Sequence, residues 1–490
     1  MKFAVSTTLT SMLSASILHS PQVSRKNNVC IFALGCSAQV RVTISTSKMF
    51  VAAQLAFVLL LWRMQLISPA SAPTGANFTQ AAQTFQDDST INSAYLVVRR
   101  VSDGTLLFEA SKGTGTAAAA DSGYTIASGT KWISAATIMK LVENGALRLD
   151  STLGEVGGSY FQQDNGDGRA NITLHELLSF TSGLAFNPDA NSDDATDACV
   201  GNNTFTLESC SQNIFDNNAA FPSAPRGTFV YGSNHLVVAG MMAEKATGMS
   251  WNDLFVATTL APLGLSQGLF QNRYTPASNP NLAGTLWTSV ADYTTWLSAY
   301  ASSDGGGNGG VAYFNDSVKM RALMEADATP QPQVPIQYSP FAVFGMGAHY
   351  GLGNWLECPP GTPANVFDET CDPDWGVRSS AGAFGFYPWI NLHHDFFGVM
   401  GVFNIINPLA SKLSVDLGQK INTAVVSALV ANNASTTSVS TSGPSSSTTT
   451  TTPPPTCGSC NTNGASHTVL ESVHTIIVVA FGLLLLNSRG

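Results

Sequence analysis

The sequence predicts an α+β fold, with one antiparallel sheet built from both ends of the globular region, flanked by helices and carrying an inserted, mostly helical lobe. Three observations predict it. Ala94–Arg100 alternates in polarity and is rich in Val, Leu and Tyr; Ser102-Asp103-Gly104 then supplies a turn and Thr105–Ala110 runs back, which reads as a β-hairpin. Strand-like runs return only near the other end, at Gly382–Ile390 and Phe396–Ile405. Between them, residues 150–300 read as helices and loops, including Leu174–Phe180, Leu236–Thr247 and Ala291–Tyr300. Strands at both ends with helices between them fit one sheet formed by the two termini.

Two further helices complete the pattern. The helix following Ser128 is apolar nearly all round (Ile133, Ala136, Ile138, Met139, Leu141, Val142) and is stopped at Gly145. Such a helix is buried on most faces. A closing helix is expected near Ala410–Leu429, and the sequence contains no internal repeat. With 490 residues, 44% hydrophobic and 11% charged, the chain has ample material for a large core. Its net charge of −10 and lack of a basic stripe exclude a nucleic-acid partner.

The ends read as addresses. No acidic residue precedes Asp87, and Lys48–Ala72 has the form of a secretory signal: a basic flank, an apolar run from Phe50 to Trp62, and small residues at Ala70-Ser71-Ala72. Residues 1–72 are therefore a leader, with Met49 as the expected start; an organellar transit peptide is the rival reading. The globular domain is expected over residues 73–432 and a Ser/Thr/Pro-rich stalk over 433–462. Residues 463–490 hold a small triplet at Asn463-Gly464-Ala465, a polar spacer and the apolar tail Thr475–Leu486. That order is the pattern of a lipid (GPI) attachment signal with Asn463 as its site, which makes a membrane the expected partner through the anchor. Twelve apolar residues are too few to span a bilayer of roughly 30 Å.

Cysteine usage agrees with export. Outside the leader's Cys30 and Cys36, the pairs Cys199/Cys210, Cys358/Cys371 and Cys457/Cys460 lie close together in loop-like sequence, as expected of disulfides. Sequons at Asn77, Asn171, Asn202, Asn315 and Asn433 also fit the secretory route.

The chemistry concentrates at Ser128-Gly129-Thr130-Lys131, at the start of the buried helix. Ser and Lys three apart share a helical face, so the amine reaches the hydroxyl. Free N–H groups and the positive dipole end at a helix N-terminus favour an alkoxide and an oxyanion. Burial lowers a lysine's pKa and lets it act as a base. Taken alone, Ser128 reads equally well as an N-cap, and another Ser-x-x-Lys occurs in the leader at Ser45–Lys48.

Context decides between the two. Thr125–Asp150, the segment Thr173-Leu174-His175-Glu176-Leu177-Leu178-Ser179-Phe180-Thr181-Ser182-Gly183-Leu184, the stretch Pro225–Asn234 and the block Leu260–Leu265 occur in this order. In that order the chain resembles the penicillin-recognising serine hydrolases: class C β-lactamases, DD-peptidases and related esterases, with a β-lactamase/transpeptidase-like fold. The resemblance implies Ser128 as nucleophile, with Lys131 and Tyr231 handling the proton. It puts Ser233 where the family often has Asn, and Ser380-Ala381-Gly382-Ala383 at the third motif, usually Lys-Thr-Gly or His-x-Gly. Ser380, Gly382 and Ser233 would then contact substrate, and the Ala383 and Ser128 N–H groups would form the oxyanion hole. Ser380 replaces the family's cation, which argues against anionic β-lactam or peptidoglycan substrates and for a neutral ester or amide. The pattern asks for no cofactor and no metal.

Rival readings fit less well. Gly264-Leu265-Ser266-Gln267-Gly268 matches a nucleophile elbow but lacks the buried strand before it and the helix after it. Adjacent His393 and His394 point to opposite faces of a strand. Asp164–Gly168 lacks the closing Glu of a calcium loop. A non-catalytic surface adhesin or wall-binding module on a retained hydrolase fold is the alternative from another functional class.

Overall fold

The computed structural model describes residues 77–163, 167–184, 198–220, 225–272, 275–276, 278–302, 311–330, 333–363 and 375–438. The chain divides into two compact units, Met1–Ser435 and Thr436–Gly490, and the description below concerns the first. The leader, the chain beyond Ser438, Cys371, Cys457, Cys460 and Asn463 lie outside the described residues.

Helix α1 (Thr79–Asp87) leads into the hairpin of β1 (Ala94–Arg100) and β2 (Leu106–Lys112), turned where Ser102-Asp103-Gly104 places it. Helices α2 (Thr130–Glu143), α3 (Asn234–Thr247) and α4 (Val290–Ala301) belong to the intervening segment. The chain then returns to the sheet with β3 (Ala348–Tyr350), β4 (Trp355–Glu357), β5 (Val377–Ser379), β6 (Tyr387–Asn391) and β7 (Phe396–Gly401), and closes with α5 (Ala410–Ser438). The seven strands form one antiparallel sheet in the order β2-β1-β7-β6-β5-β4-β3. The first and last strands are neighbours, in register from Tyr95↔Gly401 to Arg100↔Phe396. The two termini thus meet inside the sheet, as expected.

Every residue of β6 and β7 is buried, because helices cover both faces. Gly401 lies against Val290 of α4, whereas Tyr387, paired with Met400, packs on Gly418 of α5. Alternation along β7 puts these contacts on opposite faces. Behind α2, Trp132 meets Trp296 and Tyr300 edge-on at 5.9 and 5.3 Å. These rings fill the space an all-round apolar helix requires.

Three expectations change. The strand expected over Gly382–Ile390 begins only at Tyr387, because Gly382–Phe386 form the β5–β6 turn, closed by Gly382 N–H to Phe386 O at 2.8 Å. The strand expected to Ile405 stops at Gly401. The closing helix runs past Leu429 through Ser438, so Asn433 is helical rather than extended. The Cys199–Cys210 disulfide is present, and Cys358 is disulfide-bonded. Asn77, Asn171, Asn202 and Asn315 are all exposed.

Candidate active site

Ser128 sits in a single 3-10 turn, Ala127–Gly129, just ahead of α2 rather than on its first turn. Ala127 is held at φ 46°, a left-handed conformation that non-glycine residues adopt at a cost. Three contacts fix this turn. The Ser380 hydroxyl donates to Ser128 O at 2.8 Å, the Tyr293 hydroxyl of α4 donates to Gly129 O at 3.0 Å, and Gly382 lies flat against Ile126. A Cβ on Gly382 would fall 2.2 Å from Ile126 O, so only glycine fits there.

Lys131, one residue into α2, is buried and places Nζ 3.0 Å from Ser128 Oγ. It also donates to Ala283 O at 3.0 Å and stands 4.4 Å over the Tyr231 ring. Tyr231 follows the short bridge Phe229–Val230 and donates its N–H to Tyr338 O at 3.1 Å. Its ring stacks on Trp355 of β4 at 5.2 Å and meets Phe180 edge-on at 5.6 Å. Tyr231, a hundred residues further along the chain, therefore joins Ser128 and Lys131.

Beneath the Tyr231 turn lies His235, fully buried and stacked on Phe180 at 5.0 Å. Nε2 faces Val230 O at 3.0 Å, and a carbonyl can only accept, so Nε2 carries the hydrogen. Nδ1 then accepts from the Ser182 hydroxyl at 2.8 Å. Burial pushes the imidazole pKa down to about 4; the bond to Val230 opposes this, and the Lys131 charge reinforces it. The ring is neutral at physiological pH and serves as a fixed prop.

Ser233, at the head of α3, is buried, and its Oγ accepts from Asn281 Nδ2 at 3.4 Å. Sequence reasoning missed Asn281. It belongs to the segment Asn281-Leu282-Ala283, which is pinned to α2 by Lys131 and by Ser134 Oγ to Leu282 O at 2.8 Å. No local pattern marks it, since its role comes from tertiary placement. The segment puts a side-chain amide beside Ser233, where the resemblance had led one to look for Asn.

The third motif meets the nucleophile turn as a loop. Ser380 is buried and its hydroxyl donates to Ser128 O, so it braces the nucleophile turn. Ala383 is exposed, and among the described residues nothing accepts from its N–H. No charged residue occurs from Ser379 to Leu392. Arg378, the nearest cation in sequence, acts electrostatically on buried Glu325.

The rival sites do not assemble. Ser266 donates to Asp292 Oδ2 at 2.9 Å, and a strand, Leu269–Asn272, follows it. His393 and His394 lie in the turn after β6, with His394 Nδ1 3.2 Å from Asn391 Oδ1. Among the described residues no cluster of metal-ligating side chains occurs.

Comparison with known proteins places the chain in a family and a fold. A family profile described as Beta-lactamase matches residues 78–411, more than half of the chain. Penicillin-binding protein 4 of Amycolatopsis lactamdurans is 29% identical over 160 residues, which is 32% of this chain and 39% of that protein's length. A β-lactamase-like protein of Bacteroides dorei DSM 17855 superposes with a TM-score of 0.54 at 25% identity, covering 71% of this chain and 99% of its own. The β-lactamase/D-alanine carboxypeptidase of Yersinia pestis shares the fold, with a TM-score of 0.52 at 16% identity over 72% and 100% of the two chains. By the profile match over its globular region, the chain belongs to the β-lactamase family of serine hydrolases.

Proposed function

We propose that this protein hydrolyses a neutral ester through an acyl-enzyme on Ser128. Ser128 Oγ attacks the ester carbonyl, and its proton passes to Lys131 with Tyr231 as the partner in the relay. The oxyanion is held by the Ser128 and Ala383 N–H groups, donors typically worth ~100–1000-fold each. The leaving alkoxide takes the proton back, and water then releases the acid and restores Ser128. The observation that carries this reading is the 3.0 Å approach of the buried Lys131 Nζ to Ser128 Oγ, with the same amine 4.4 Å over the Tyr231 ring.

Neutral substrates are favoured because Ser380 stands where the family places a cation, and its hydroxyl is already engaged. A cation there would add a charge-assisted hydrogen bond to a substrate carboxylate, worth about 1.5–3 kcal/mol, or roughly 10–100-fold. The expected result is fluorophosphonate labelling of the wild type and turnover of p-nitrophenyl esters of short acids. Ser128→Ala removes both, lowering turnover at least about 10⁴-fold. Activity that survives in Ser128→Ala and vanishes in Ser266→Ala would move the nucleophile; a folded wild type with neither activity would favour the adhesin reading.

The same reading displays the enzyme at the cell surface, on the strength of the secretory signal, the exposed sequons and the C-terminal attachment signal. A phosphatidylinositol-specific phospholipase should then release it from membranes. Retention with an intact C-terminal peptide by mass spectrometry would overturn the lipid anchor.

A further inference from the structure

Eleven large hydrophobic side chains are exposed among the described residues, and four of them fall within the seven residues 403–409. Phe403 is 39% exposed, Ile405 64%, Ile406 89% and Leu409 50%. This loop between β7 and α5 adjoins the candidate active site directly. Asn404 N–H donates to Phe384 O at 2.9 Å, and Phe403 meets the Phe384 ring edge-on at 5.9 Å. Phe384 follows Ala383, the proposed oxyanion donor. Among the described residues an exposed apolar rim therefore touches the residue next to the proposed oxyanion donor.

Two features state what covers it. The first is shape: at 89% exposure Ile406 stands proud of the surface instead of lining a groove, so one bound acyl chain cannot take it out of water. A surface that receives whole side chains can. The second is charge: no charged residue occurs from Phe396 to Ser411, from Ser379 to Leu392 or from Thr90 to Ser93, the segments beside the rim, and Lys412 just beyond is paired with Asp416 at 2.7 Å. Anionic headgroups would gain nothing here, and apolar insertion carries no charge-desolvation cost.

We infer that residues 403–409 seat the active site on a zwitterionic lipid surface, so that the ester it cleaves is one held in lipid. This rests on the ester-hydrolase reading for the substrate, but not for the lipid contact, and the test separates the two. In the full chain, a nitrobenzoxadiazole dye on Ile406→Cys should brighten and shift to the blue on adding phosphatidylcholine vesicles. The shift is measured against the wild-type chain carried through the same labelling, and it should be insensitive to salt. A dye environment unchanged by vesicles overturns the inference even if an apolar tail brings the protein to the membrane. The double variant Ile405→Ser/Ile406→Ser should lower turnover of an ester carried in those vesicles about 10–100-fold relative to a soluble short-chain ester. An equal fall on both esters overturns it as well. A dye response in a chain without ester turnover would keep the lipid contact and remove the ester reading.

Discussion

Ser128 owes its position to backbone contacts as much as to its own side chain. The turn that carries it is strained at Ala127, bonded through Ser128 O and Gly129 O, and pressed at Ile126 O by Gly382. Gly382→Ala would set a methyl 2.2 Å from Ile126 O, against backbone that cannot swing aside. The loop must retreat and take the Ala383 N–H with it. Loss of one oxyanion donor is expected to lower kcat on a short ester about 100–1000-fold, with a much smaller change in KM. Steady-state kinetics on the folded variant check this, and wild-type kcat would show that the loop carries no donor. At this scale Ser128, Lys131 and Tyr231 were legible because each belongs to a short local motif. The bond from Ser380 to Ser128 O was not legible, since its side-chain direction depends on where β5 meets the turn. Asn281 and the Ser182–His235 pair carried no sequence signal, because tertiary packing alone brings them to the site.

Among the elements, the third-motif loop is held from behind by one buried carboxyl group. Glu357, on β4, accepts from the Ser379 hydroxyl of β5, the Tyr387 hydroxyl of β6 at 2.9 Å and Gln419 Nε2 of α5 at 3.0 Å. Burial raises its pKa, while the bonds from Ser379, Gln419 and Tyr387 pull the other way. Ser379 and Tyr387 bracket the loop from Ser380 to Phe386, so this cluster fixes both of its stems. None of this was visible in the sequence. The strands β3, β4 and β5 are three residues each, too short to show an alternating period, and they lie among Gly, Pro and Asn residues that signal loops. The β1–β2 hairpin was legible because it is long, alternating and joined by a strong turn. Helix α2 was legible because apolar residues take up most of its circumference. The sheet's far half forms through pairing with β6, a non-local interaction that no window of sequence reports.

For the whole molecule, the order strand–helix–strand sufficed to predict the sheet, because first and last strands can pair only if the intervening chain packs across it. The same burial ties global stability to pH. His235 has an unfolded pKa near its ordinary value of 6.5 and a folded value of about 4, lowered chiefly by burial. Between these values the unfolded chain binds a proton that the folded chain refuses. Stability therefore falls as pH drops from 6.5 towards 4 and levels off below, by up to about 3 kcal/mol from this group. His175, also lowered by burial, acts in the same direction. Glu244, Glu325 and Glu357 act oppositely, since burial raises their pKa values and protonation relieves that cost. The raw pH profile mixes these effects, so the informative quantity is a difference. His235→Gln keeps a donor for Val230 O and an acceptor for Ser182 but cannot titrate. Urea unfolding at pH 7.0, 5.5 and 4.5 should show the stability gap between wild type and variant shrinking by about 2–3 kcal/mol across that range, because only the wild type is destabilised by proton uptake at this position. A gap that stays constant would mean that the folded protein protonates His235 as readily as the unfolded chain does, and that the Tyr231 turn rests on something other than a neutral ring.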